Sequence, residues 1–380
     1  MEQGSRAVVP DRRLALYRSR FPVHVRWAEV REEDPRAFRT AAGGALLMPV
    51  AFVATVAWTC LTFEVPVAVE LPGWLEAARG LLVVALVFAA ILLWVFAVTM
   101  LSLPADARRA IALRRFGAAN DLAFQRLSAA PPSLGILFAE GGEGGAEAAG
   151  APTARRPRGA AEPAAPPRFR AEFALTRGGT FDDPALRIAV ATSTGGRNDP
   201  AAPRHTFRFL SAHLPRPLPH LMIDSLRNGR LRTILPGAQR LSLEGDVDRH
   251  FAVYVPAGYE RDALQLLTPD VLVCLIDHGR RWDIEVVDDR LVVASRASGR
   301  RSDRTEVPAL LRFAELIGAE LGHQATTYTD PRAGDPRTQI DIAGRRLRRR
   351  SGAWVAAVIA VAVAAMLAFP HLLGWVLDNT

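Results

Sequence analysis

Hydrophobic and polar positions follow three distinct patterns along this chain. Three runs carry no charged side chain: about 40–63 (TAAGGALLMPVAFVATVAWTCLTF), about 80–103 (GLLVVALVFAAILLWVFAVTMLSL) and about 353–377 (AWVAAVIAVAVAAMLAFPHLLGWVL). A helix needs about 20 apolar residues to cross the hydrocarbon core of a bilayer, so each run predicts a transmembrane helix. The first begins after a charged arm and is too long for the core of a cleaved signal peptide, which makes it an anchor. Between the second and third runs the period shortens. Short segments near 169–175, 186–191, 205–210, 218–223, 240–243 and 251–255, bounded by Gly, Pro, Asn or Asp, predict β-strands, and two more at 282–287 and 290–294 flank a tight turn at Asp288-Asp289. Helical spacing marks 107–120, a segment opening at Thr268-Pro269-Asp270, and 307–323, where Val307, Leu310, Leu311, Ala314, Ile317 and Leu321 form one stripe. In the middle helix Cys274 is expected as a small buried apolar side chain.

Hairpins in succession with helices gathered late predict an α+β fold: an antiparallel-sheet cytoplasmic domain with helices, plus three transmembrane α-helices. The expected organisation is a basic N-terminal arm (1–39), a transmembrane hairpin (40–103), a juxtamembrane helix and the start of the soluble domain (104–139), and an insertion (140–167). The α+β domain (168–330), a basic linker (331–350) and the third span with a short tail (351–380) follow. The insertion, EGGEGGAEAAGAPTARRPRGAAEPAAPP, holds no large apolar residue and cannot bury enough surface to offset chain entropy, so disorder is expected there.

Charge changes the picture in two ways. The chain carries 47 basic and 39 acidic residues, a formal net charge of +8, and every basic residue is arginine. Without lysine there is no Schiff-base chemistry, no Walker-A phosphate loop and no protein-kinase site. Arginine also clusters before the first run, after the second and before the third, whereas Glu64, Glu70 and Glu76 face a single Arg79 between the first two. Positive residues stay cytoplasmic, which predicts a multi-pass protein of a bacterial cell membrane with N-terminus and large domain inside and C-terminus outside. Arg345, Arg346, Arg348, Arg349 and Arg350 are the candidate contacts to anionic headgroups of the lipid bilayer. Ala356, Ala360 and Ala364 in span three are spaced for close helix packing, a route to a protein partner or a homo-oligomer.

Three segments, one of them just after the paired spans, carry a resemblance. The run QRLSLEGDVDRHFAVYVPAGYERDALQLLTPDVLVCLIDHGRRWDIEVVDDRLVVAS (Gln239–Ser295), with RPLPHLMID (Arg216–Asp224) and RFGAANDLAFQ (Arg115–Gln125), resembles an uncharacterised family of membrane-anchored proteins of high-GC bacteria that share a domain of unknown function. The resemblance implies an architecture and no catalytic residues.

Candidate chemistry is sparse. Ala191-Thr192-Ser193-Thr194-Gly195 approximates a nucleophile elbow, but GGRNDPAAPRH follows where the elbow needs a helix. Glu244, Asp246 and Asp248 place three carboxylates on one face if the segment is extended, with His250 close by, a candidate hard-cation or acid–base cluster. Asp224, Asp277, Asp283, Asp288 and Asp289 are expected as turn and cap residues, and His220 and His250 as strand-end residues. Two cysteines exclude a disulfide framework or a four-cysteine zinc site. No cofactor is expected, and no nucleic acid, since a recognition motif is lacking. The expected function is a non-enzymatic binding, scaffold or sensor module at the inner membrane face. The alternative is a membrane-bound enzyme acting on a lipid or envelope precursor through the acidic cluster.

Overall fold

A computed structural model of the chain describes residues 11–63, 79–128, 135–138, 169–181, 183–193, 206–227, 235, 239–243 and 246–347. The predicted insertion, third span and acidic loop, with Glu244 and Arg348–Arg350, lie outside the described residues. The chain divides into two compact units, Ala15–Phe124 and a larger one formed by Met1–Leu14 with Gln125–Thr380.

Helix α1 (Arg12–Arg20), whose part from Ala15 onward belongs to the smaller unit, leads to that unit's α2 (Trp27–Glu33), α3 (Pro35–Thr62) and α4 (Arg79–Ala118). Helix α3 starts before the apolar run because Asp34 supplies a cap, accepting the Ala37 N–H at 3.2 Å, and Pro35 suits the first helical position. Helix α4 runs without interruption through Pro104, so the second apolar run and the predicted 107–120 helix form one element of 40 residues. The helices α3 and α4 are each long and apolar enough to cross a membrane. They pack in opposite directions. A Cβ on the buried Gly44 would sit 2.8 Å from Met100 Cβ and 3.0 Å from the Ala97 carbonyl oxygen, so only glycine permits that approach. Trp94 Nε1 donates to Thr55 Oγ1 at 3.0 Å across the pair. Away from this seam Leu46, Phe52, Val53, Leu81, Phe88 and Ile91 are exposed, as lipid-facing side chains would be.

The arm expected as a basic tail is folded from Arg12 to Glu33. Val25, Val30 and Ala37 pack with Ala107 and Ile111 of α4. Glu29 and Glu33 take Arg115, at 2.7 and 3.4 Å, and Glu33 also pairs with Arg114. Hydrogen bonding to Arg115 holds the Glu29 carboxyl below its ordinary range.

The larger unit is built on a seven-stranded sheet: β1 (Ala123–Ser128), β2 (Phe169–Gly179), β3 (Pro184–Ser193), β4 (Thr206–Ser225), β5 (Arg240–Leu241), β6 (Phe251–Tyr254) and β7 (Asp283–Ser295). The order is β1-β2-β3-β4-β6-β5, with β7 on β4. The β2–β3, β3–β4, β4–β6, β4–β7 and β5–β6 pairs are antiparallel. Mixed helix and antiparallel sheet is as the alternation predicts, but two pairs of predicted strands are single elements. Strand β4 runs through His213–Leu218, and β7 passes Asp288-Asp289 without reversing. Both carry bulges. The register between them shifts at His213/Leu218 and again at Leu218/Leu221, and Asp288 sits at φ 53°.

The bulges preserve the core. On β4 the residues reaching one apolar core cluster are Phe207 and Phe209, then Met222; on β2 they are Phe169 and Ala171, then Ala174. Each strand changes from odd to even numbers across its irregularity, so the same face stays apolar after an extra residue is inserted. Phe138 stands at the centre of that face, its ring 5.1–5.4 Å from those of Phe169, Phe207 and Phe209. Short helices follow β5: α5 (Val247–His250), α6 (Glu260–Leu266), absent from the sequence expectation, and α7 (Pro269–Cys274), which widens into a π-type turn at Leu275–Gly279. The long α8 (Asp303–Thr327) packs against β4 and buries Val307, Leu310, Leu311, Phe313, Ile317 and Leu321, the predicted stripe among them. A strap, 328–347, holds only the short α9 (Ile342–Arg345).

Candidate functional site

The structure does not extend the acidic segment, so the expected single face of carboxylates is corrected. Val247–His250 is a helical turn, which removes the alternation on which the cluster depended. Both Asp248 oxygens serve that turn, accepting the Ser242 hydroxyl at 2.6 Å and the Leu243 N–H at 3.2 Å. Asp246 is exposed and pairs with Arg249 at 2.7 Å. The His250 carbonyl accepts the Leu226 N–H at 2.9 Å. Among the described residues no group of three or more His, Cys, Asp or Glu could hold a metal ion.

The arginines before the third run are partly committed to the domain. Arg346 grips the Asp288 carboxylate with both terminal nitrogens, at 3.2 and 2.9 Å, and Arg345 Nε donates to the Ile340 carbonyl at 2.8 Å. Asp288 is therefore a bulge residue holding the strap rather than half of a tight turn. Asp283 accepts the Ser225 N–H at 3.0 Å, and Asp224 is buried on β4. Cys274 is half-buried; desolvation, then the charge of Glu320, pushes its thiol up to about 11, so it is a poor nucleophile near neutral pH.

Two polar centres that the sequence did not point to lie inside this unit. The first is built on His220 of β4 and Glu285 of β7, both essentially inaccessible to solvent. Register places Met222 opposite Glu285, so His220 is the diagonal neighbour on the same face. Glu285 accepts the Ile136 N–H at 2.6 Å, the Leu137 N–H at 3.0 Å and His220 Nε2 at 2.7 Å. On the other side of the ring, the Leu347 N–H donates to His220 Nδ1 at 3.0 Å. Because Nδ1 must accept there, the proton sits on Nε2 and is donated to Glu285. Gly135, at φ 79°, makes the approach of the Ile136-Leu137 amides possible; a Cβ there would lie 2.2 Å from Glu285 Oε1. His220 is thus a buried mid-strand residue, not the strand-end residue expected. The pair clasps two distant chain segments to the sheet.

The second centre ties the strap to α6. The Tyr259 hydroxyl donates to Asp330 at 2.7 Å and the Tyr328 hydroxyl to Asp262 at 2.9 Å. Arg332 reaches Asp262 at 3.1 Å, Asp330 at 3.4 Å and the Gly258 carbonyl at 2.7 Å, with its guanidinium 4.4 Å from the centre of the Tyr259 ring. The Asp341 N–H closes the network on Asp330 at 2.9 Å. Burial pushes the Asp330 carboxyl up, but the Asp341 N–H, the Tyr259 hydroxyl and Arg332 outweigh it and hold it below the usual carboxylate range. Burial first, then the neighbouring carboxylates, raise both tyrosine hydroxyls well above their ordinary value. The stability contributed by these protonated hydroxyls is complete below the unfolded-state tyrosine pKa of about 10 and is lost as the pH rises from there through the raised folded values. Amides of 328–345 should therefore keep their hydrogen-exchange protection at pH 8 and lose part of it, after correction for intrinsic rates, at pH 11, which lies above the unfolded value and below the raised folded ones. In Tyr259→Phe/Tyr328→Phe, protection should already be reduced at pH 8 and should fall far less between the two. Equal losses in variant and wild type would show that these hydroxyls do not hold the strap.

No family model matches the chain, and no curated protein matches it. Among solved structures, a crystal structure of the mycobacterial trehalose monomycolate transport factor A, TtfA, is similar at 9% identity, covering 56% of this chain and 94% of that chain with a TM-score of 0.31. At that score the likeness carries no argument about this chain.

Proposed function

We propose that this is a membrane-anchored scaffold whose α+β domain presents a fixed, non-catalytic surface at the cytoplasmic face of a bacterial cell membrane. The observation that carries it is the use made of the buried polar groups. His220 and Glu285, and the Tyr259–Asp330–Arg332–Asp262–Tyr328 network, spend their hydrogen bonds on fixing chain segments in place. Such groups rigidify a surface, and their described contacts go to chain segments of the same unit.

The apolar helices α3 and α4 supply the anchor, and the run at 353–377 is a third span in this reading. The arginine distribution supports an inward N-terminus and domain and an outward C-terminus. The strap ends at Leu347 on the His220 clasp, and the third run follows it in the sequence.

The test is gentle purification of the full-length protein from native membranes with quantification of what remains bound. A protein partner at stoichiometric amount, retained by the wild type and by a variant with Glu244→Ala, Asp246→Asn and Asp248→Ser, is the expected result. Loss of function in that variant with its fold intact, together with a retained lipid precursor, would replace this reading with the enzyme acting through the acidic segment.

A further inference from the structure

We propose that the segment Leu16–Arg39, folded around the base of the α3–α4 pair, is a binding surface for anionic phospholipid headgroups. The proposal rests on the anchor reading of α3 and α4 and adds the chemistry of the lipid. Within the smaller unit α2 turns Val30 inward against Ala37, Ala107 and Ile111 and leaves Trp27 and Val23 outward, 46% and 73% exposed. Two guanidinium–aromatic pairs lie where the apolar helices give way to polar sequence. Arg108, one turn past Pro104 on α4, stacks 4.8 Å from the centre of the Trp27 ring and shares a 2.9 Å contact with His24 Nδ1. Arg31 stands 5.1 Å from the centre of the Phe38 ring near the start of α3. Tryptophan and arginine side by side, with apolar helix surface on one side of them, are the composition of a bilayer interface.

Charge selects the lipid. Arg26, Arg31, Arg36 and Arg39 are exposed along this segment. Its carboxylates are turned to other work: Glu29 and Glu33 pair with Arg114 and Arg115, and Asp34 caps α3. Glu32 alone is exposed without a role of that kind among the described contacts of the segment. Guanidinium forks match phosphate oxygens, and an exposed arginine row continuous with the apolar surface of α3 and α4 matches a leaflet of acidic phospholipid better than a soluble acidic protein. Arg345 and Arg346 are held by Ile340 and Asp288 and are less available for the same task.

The experiment places a nitroxide at Val23→Cys, Phe52→Cys or Leu264→Cys in full-length protein whose Cys60 and Cys274 are replaced by serine. Each protein is reconstituted in phosphatidylcholine nanodiscs with and without phosphatidylglycerol, and collision with oxygen and with a water-soluble nickel chelate is measured. The Phe52 label is expected at hydrocarbon depth and the Leu264 label in water in both bilayers. The Val23 label is expected to lose nickel accessibility several-fold when phosphatidylglycerol is present. That response should vanish in a variant with Arg26→Gln, Arg31→Gln, Arg36→Gln and Arg39→Gln whose Phe52 label is unmoved. A Val23 label in water in both bilayers, with Phe52 buried, overturns the headgroup site and leaves the anchor standing. Equal protection with and without phosphatidylglycerol overturns the anionic preference, as does protection that appears only when a soluble acidic protein is added. A Phe52 label in water overturns the anchor reading and this proposal with it.

Discussion

Glu285→Ala is expected to destabilise the sheet-bearing unit by about 3–5 kcal/mol, the range for breaking a buried, hydrogen-bonded polar pair. The substitution removes the acceptor of three donors at once: the Ile136 and Leu137 N–H groups and His220 Nε2. None of the three can turn to water, because residues 136–138, His220 and Glu285 are all buried. Residues 135–138 should leave the sheet, and Phe138 with them, which opens the aromatic cluster it fills. The effect should reach Leu347 as well, since His220 freed from Glu285 no longer has its Nδ1 oriented towards that N–H. Pulse proteolysis of the detergent-solubilised full chain across a urea series measures the loss. Hydrogen exchange should show the amides of 136–137 and 347 losing protection together. His220→Ala should release Leu347 more than Ile136 and Leu137, whose acceptor remains. A loss below about 1 kcal/mol for Glu285→Ala would mean that the carboxylate is incidental to the fold.

Asp303→Ala should cost a similar amount, about 3–5 kcal/mol, by a different route. Arg208 on β4 is 1% exposed and Asp303 at the start of α8 is 3% exposed, and the two are in direct contact. Without Asp303 the guanidinium keeps the Ala297 carbonyl at 2.8 Å and the Ser302 hydroxyl at 3.4 Å but has lost a carboxylate that offsets its charge in a buried site. The double replacement Arg208→Met/Asp303→Leu should recover most of the loss, because apolar packing substitutes well for a buried ion pair. The same urea series decides between these outcomes. If the double variant is no more stable than Asp303→Ala, the cost came from lost packing at the start of α8 rather than from the stranded charge.

What could be read from the chain follows how far apart the participating residues are. The two apolar helices were legible because twenty uncharged residues in a row are a local fact. The stripe of α8 and most strand segments were legible for the same reason, each being a periodicity within a dozen residues. Strands β4 and β7 were each split in two because a bulge interrupts period two and fills the gap with residues that also make turns: Pro215, Pro217 and Pro219 on one, Asp288-Asp289 on the other. The start of α3 was missed by five residues although Asp34-Pro35 is a recognisable cap, because the apolar run drew the boundary. The acidic segment stands out by carboxylate density, but the helical turn at Val247–His250 is set by local geometry that density does not reveal. His220 and Glu285 gave no signal, since a histidine in one strand and a glutamate 65 residues later show nothing until their strands pair.

The sequence by itself determined the kinds of element: which stretches are apolar enough to cross a bilayer, which alternate as strands, and on which sides of the apolar runs positive charge gathers. These follow from side-chain transfer energies and backbone periodicity, which need no knowledge of distant partners. Only the tertiary structure decided the register of β4 against β7, and with it which polar groups meet in the core. Register depends on long-range pairing and on bulges that flip side chains from one face to the other. That choice sets Glu285 beneath the Ile136 and Leu137 amides, 149 and 148 residues before it, and ties Leu347 to His220, 127 residues earlier in the chain.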